Sequence, residues 1–163
     1  MPEFTMQTQQ EDNWCWAAVG VAINNFLDPG LVPPLTQAAL ANKVLAIPGV
    51  DCTKTPDKCD LTAALDDVLT VTGNLSDDLG HKVLDFPSLK GQIDGGLPVC
   101  AQINWFDGGA HAIALDGYAE LAAGVQVVSV QDPLYGPSFQ FYEDLVSNYL
   151  GSGVWGFTFT VKP

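Results

Sequence analysis

The sequence predicts an α+β protein in which a helical N-terminal half packs on a C-terminal antiparallel β-sheet or partial barrel. Three observations carry this. Residues 15–27 are apolar on nearly every face, two more segments before residue 74 carry apolar residues at helical spacing, and strand-forming residues dominate beyond about residue 82. At 163 residues and 47% hydrophobic composition the chain can bury a real core. It reads as one domain over 1–163, with about 5–80 the helical half and about 81–163 the β half.

The opening MPEF has no periodicity and resembles a cloning-vector remnant over 1–4, so a removed leader or propeptide stays open. The next feature is the run QQEDNWCWAAVGVAINNF, where a cysteine between two tryptophans marks the change from polar to apolar sequence. The stretch Cys15 to Leu27 stops at DPG and reads as a buried central helix. Asn13 or Asp12 is expected to cap its first turn, which places Cys15 among the unpaired amide donors. The segments PLTQAALANKVLAIPG and LTAALDDVLTVTG predict two further helices, each ending in glycine. Between them, Cys52 and Cys59 flank CTKTPDKC; they either close a short disulfide, which favours an oxidising compartment, or stay two loop thiols.

In the second half KVLDF looks extended, SLKGQIDGG is a short amphipathic helix, and LPVCAQINW is a strand. AHAIALDGYAE and VQVVSVQDP, joined by LAAG, predict a hairpin. SFQFYEDL and VWGFTFTVKP supply two more strands around a short helix.

Charge excludes several functions. The formal charge is −13, from nineteen acidic residues and six basic ones, all lysine. A phosphate reader needs cationic patches and profits from arginine, so neither nucleic acid nor an anionic membrane surface is an expected partner. No apolar run approaches the ~20 residues of a membrane-spanning helix. With only two histidines, neither near Cys52 and Cys59, a zinc site is not expected, nor is any cofactor.

The chemistry centres on Cys15. A free thiol titrates near ~8.5, so an attacking thiolate needs a lowered pKa, which a helix N-terminus and an imidazolium together provide. His81 lies in the polar junction DDLGHKV. His111 lies in FDGGAHAIALDGY, where two glycines precede a strand, and is the better partner. A histidine base needs its second nitrogen held. Asp132, ending the strand that neighbours His111, is the best candidate, although Asp-Pro is also a common turn starter. Asp116 sits at an odd offset on the His111 strand and should face away, and Asp107 lies in a loop. For an oxyanion, the Cys15 amide is one donor and the side chain of Gln9 a second, with Gln10 its rival. Trp16 is expected as core beneath the thiol and Trp14 at the rim. Trp105 and Trp155 are either plain core or a shield for His111 and Asp132, and Cys100 is expected to be a buried core thiol.

Gln9, Cys15, His111 and Asp132 in that order, with the glutamine six residues before a Cys-Trp pair opening a buried helix, resemble the papain-like cysteine proteases. The likeness is to compact bacterial members, including secreted effector proteases and leader-peptide peptidases. It runs over about residues 7–135, through NWCWAA, SLKGQIDGGLPVCAQINW, GAHAIALDGY and VQDP. The resemblance implies Cys15 as nucleophile, His111 as general base and acid, Asp132 as orienter and Gln9 as oxyanion donor. It implies peptide-bond hydrolysis on a protein or peptide substrate by a monomeric, secreted or translocated bacterial protein, with an activating host factor left open. The chain departs from the plant and lysosomal pattern Cys-Gly-Ser-Cys-Trp by having DNWCW. The same residues would also serve an acyltransferase, a transglutaminase or a deamidase, or a silent module that only binds a peptide.

Overall fold

The computed structural model describes residues 3–163. Met1 and Pro2, the first half of the expected remnant, lie outside them. Chain order is α1 (Cys15–Leu27), α2 (Gln37–Leu45), α3 (Leu65–Thr72), β1 (Leu75–Asp78), α4 (Phe86–Asp94), β2 (Val99–Trp105), β3 (Ala110–Glu120), β4 (Gln126–Asp132), β5 (Gly136–Phe141), α5 (Tyr142–Ser147) and β6 (Gly153–Val161). Among the described residues five α-helices and a six-stranded antiparallel sheet thus make an α+β protein.

Local chemistry explains the ends. The Thr36 side chain accepts from the Ala39 amide to start α2, and Asp85 accepts from Ser88 to start α4. Gly73 closes α3 at φ 80°, a left-handed position open to glycine. Helix α1 departs from expectation. Neither Asp12 nor Asn13 caps it; Trp14 occupies that position without a side-chain bond, because Asn13 is tied instead to Asp60 through its amide (2.7 Å) and side chain (3.3 Å).

The sheet order is β1-β6-β2-β3-β4-β5, open, with β1 and β5 at its edges. Strands β2 to β5 form a meander. The LAAG connection between β3 and β4 is the expected hairpin, closed by Leu121 N–H donating to Val125 O at 2.8 Å. The C-terminal strand β6 runs back into the middle, between β1 and β2. KVLDF is not a strand. Val83, Leu84 and Phe86 of this run pack into the core, and Asp85 is spent on the α4 cap. The missed strand is β1, which also puts one strand in the half expected to be helical, while α4 and α5 lie in the β half.

Both faces of the sheet are covered. One core cluster joins α1, α2 and α3 to Cys100, Ala112, Phe159 and Val161 of the sheet. The other joins α4 and α5 residues such as Phe86, Leu89 and Leu145 to Val99, Ile103, Ile113 and Val130. Fully burying one such aliphatic side chain stabilises by ~1.5–3 kcal/mol. Helix α1 is the centre of the first layer, with Trp16 through Ile23 all buried. Its Gly20 permits this: a Cβ there would come within 2.5 Å of Val68 and 2.8 Å of Leu40. Among the described residues no helix is long and apolar enough to cross a membrane.

Candidate active site

The N-terminus of α1, the start of β3 and the end of β4 meet at one cleft of about 360 Å³, whose walls include Gln9, Cys15, Trp16, Trp105, His111 and Leu134. Cys15 opens α1 because the polar run ends there, and its amide, like any in a first helical turn, has no acceptor within the helix. The flanking tryptophans fix it. Trp14 is fully buried and Trp16 nearly so; their indole N–H groups donate to Cys59 O (2.7 Å) and Leu61 O (2.9 Å). Trp14 is therefore core and not rim, since its indole reaches inward to this carbonyl. Trp16 is buried as expected yet also lines the cleft. Cys52 and Cys59 are joined by a disulfide, so the segment that the indoles grip is itself closed by a covalent bridge.

His111 is the second residue of β3 and is 4% exposed. Its Nε2 lies 2.8 Å from Asp132 Oδ1, and its imidazole lines the same cleft as the Cys15 thiol, where each group shifts the titration of the other. Asp132 is 2% exposed at the last position of β4. Its Oδ1 also accepts the amides of Leu134 (2.8 Å) and Tyr135 (2.9 Å), and its Oδ2 accepts the Tyr149 hydroxyl (2.8 Å). The Asp-Pro turn thus serves both purposes, holding the turn and the histidine.

The electrostatics follow from the contacts. Burial pushes the Cys15 thiol up, but the His111 hydrogen bond, the Ala112 amide, the charge of His111 and the Trp16 amide together bring it below its ordinary value. Burial likewise opposes a charged His111, yet hydrogen bonds to Asp132 and Cys15 and their negative charges raise it to about 9. Asp132 resists burial through His111 and the two turn amides and stays below the usual carboxylate range. Thiolate and imidazolium therefore support each other, and the arrangement can present a charged sulfur nucleophile beside a proton donor.

Trp105 stacks on the His111 ring at 5.7 Å and 21°, and so covers it, while Trp155 lies in the second core with its indole bound to Phe157 O. Of the two offered as a shield, Trp105 has the position. Gln9 is brought to the cleft by its amide, which donates to Pro133 O (2.9 Å), and by buried Gln37, which bonds Thr8 O and the Gln10 amide on either side. Its side-chain nitrogen, however, donates to Glu11 O (3.1 Å) and Asp12 O (2.7 Å), and its Oε1 is buried without a partner. The expected second oxyanion donor is in place but engaged elsewhere. Gln10 is exposed and does not line the cleft.

The remaining candidates lie apart. Exposed His81 rests on Phe157, Asp107 is exposed in the turn beyond β2, and Asp116 bonds Gln131 on a different pocket. Cys100 is fully buried, and burial raises its thiol far above the ordinary value. Sequence reasoning missed Tyr149, which sits in SNYLGSG, a stretch with turn composition and nothing to link it to Asp132. No family model matches the chain, and no curated protein matches it either.

Proposed function

We propose that this protein is a hydrolase working through a cysteine thiolate. More particularly, it is a peptidase of the papain-like kind that cleaves peptide bonds through a thioester on Cys15. The observation that carries this reading is the cleft that Cys15 shares with His111, whose Nε2 lies 2.8 Å from the buried Asp132 carboxylate.

In the proposed reaction Cys15 Sγ attacks the carbonyl carbon and the C=O electrons move to oxygen, where the Cys15 amide stabilises the charge. Gln9 adds a second donor when its side chain exchanges a carbonyl of residue 11 or 12 for the oxyanion. As the C–N bond breaks, His111 gives its proton to the departing amine, leaving a thioester and a neutral imidazole. The imidazole then takes a proton from water, the hydroxide oxygen attacks the thioester, and the sulfur leaves as thiolate beside a restored imidazolium. Asp132 keeps His111 in one orientation and tautomer throughout.

The Cys52–Cys59 disulfide supports a secreted or translocated protein, since such bridges persist in oxidising compartments. The resemblance of its motifs supports a bacterial origin, a protein or peptide substrate and action as a monomer.

Incubation with a diverse peptide mixture, read by mass spectrometry for new termini, tests the reading. Cleavage by the wild type that disappears in Cys15→Ser, with product masses showing water and not an added amine as acceptor, is the expected result. Intact peptides, together with a Cys15 that takes up thiol-directed inhibitors no faster than an ordinary thiol, would overturn it.

A further inference from the structure

We infer that Tyr149 is a positioning residue that completes the His111–Asp132 relay by holding the outer oxygen of the carboxylate; this rests on the peptidase reading. Asp132 Oδ1 serves three donors, whereas the hydroxyl of Tyr149, at 2.8 Å, is the hydrogen-bond donor found for Oδ2. Both residues are almost wholly buried, Tyr149 1% and Asp132 2% exposed. A buried carboxylate oxygen without a donor is costly to keep charged, so the phenol favours the ionised form that an imidazolium needs.

The ring has a second task. It stacks on Trp105 at 6.1 Å and 27°, and Trp105 stacks on His111 at 5.7 Å and 21°. Tyr149 thus reaches His111 by two routes, through Asp132 by hydrogen bonds and through Trp105 by stacking. The first route fixes tautomer and the second fixes the plane of the imidazole. The backbone is arranged to hold this position. Tyr149 N–H donates to Gly153 O at 2.7 Å and Gly153 N–H to Tyr149 O at 3.1 Å, across a turn in which Leu150 and Gly151 take φ 51° and 71°. Burial and the Asp132 charge push the phenol well above its ordinary pKa, so it stays a donor over the range where the relay acts.

Tyr149→Phe keeps the ring and its stack and removes only the donor. Alkylation of Cys15 by limiting iodoacetamide from pH 3 to 9, with peptide mapping, reads the thiolate directly. In the wild type the fast reaction should persist into the acid range. In Tyr149→Phe, Asp132 ionises less readily, the imidazolium loses its partner sooner, and the acid limb should move up by about half a unit or more. Turnover of a peptide substrate should drop ~10-fold in kcat with KM unchanged, the loss expected for one hydrogen bond to a charged group. In an Asp132→Ala background the same change should shift nothing further.

An acid limb in Tyr149→Phe that overlays the wild type overturns the proposal alone, as does an equal shift with and without Asp132. A wild-type Cys15 that labels like an ordinary thiol overturns the peptidase reading itself, and the positioning role with it.

Discussion

Asp132 joins a turn, a strand and a neighbouring loop through one carboxylate, so its loss should act on chemistry before stability. Asp132→Asn keeps the shape but loses the charge: its carbonyl oxygen still accepts from His111 and the two turn amides, its NH2 meets the Tyr149 hydroxyl in place of an acceptor, and the imidazolium has no anionic partner. We expect hydrolysis to fall by two orders of magnitude or more, measured as kcat with the thermal midpoint as control. His111 also links the site to pH. Its proton is held to about 9 when folded, against 6.5 for the free group, so its stabilisation is complete below pH 6.5 and lost as pH rises through about 9. Thermal melts of Cys15→Ser, where the Cys15 share of that upward shift is gone and Asp132 alone raises the imidazole, should still fall more as pH rises above 6.5 than those of Cys15→Ser with His111→Gln. Asp132, held low, acts in the opposite sense, and its contribution disappears as pH falls through the acid range. Cys15, His111 and Asp132 were legible because each stands at an element boundary marked by its neighbours: a polar-to-apolar switch, a glycine pair, a proline. Tyr149 was not, because its surroundings spell only a turn.

Helix α1 shows why an element can be read from sequence while its anchoring cannot. Its long apolar run announces burial, and the structure buries Trp16 through Ile23. What seats its first turn is the bridged segment at 59–61, which offers two carbonyls to the indoles and the Asp60 carboxylate to the Asn13 amide. None of these pairings has a periodic signature. Gly20 is the corresponding contact further along, and Gly20→Ala should cost ~1–3 kcal/mol by forcing Val68 and Leu40 aside, measured by urea unfolding. The strand β1 escaped notice because three of its four residues are exposed and polar, so LSDD has no alternation to detect. KVLDF misled for the converse reason: apolar residues at alternate positions packed into the core without joining a ladder.

At the scale of the molecule, two terms bear on stability without touching the cleft. The charge of −13 makes the folded chain repel itself, so the thermal midpoint should rise as salt is raised from a few millimolar to ~0.15 M. Closing the Cys52–Cys59 loop removes unfolded-state freedom worth about 2 kcal/mol for so short a loop. The Cys52→Ser, Cys59→Ser pair should lower the melting temperature and also slow Cys15 alkylation, because the indoles then hold a loosened segment. The α+β class and the division into a helical and a sheet layer were visible in composition, but the strand order was not, since it depends on where the last strand inserts. That insertion governs how the molecule comes into being. On the ribosome the meander β2 to β5 emerges before β6, and until residues 153–161 are released β1 has no strand joining it to β2 and the helices lack Phe159 and Val161 to rest on. Cys15 precedes most of its supporting architecture in chain order, so a nascent chain carries the thiol before residues 153–161 complete the sheet behind it.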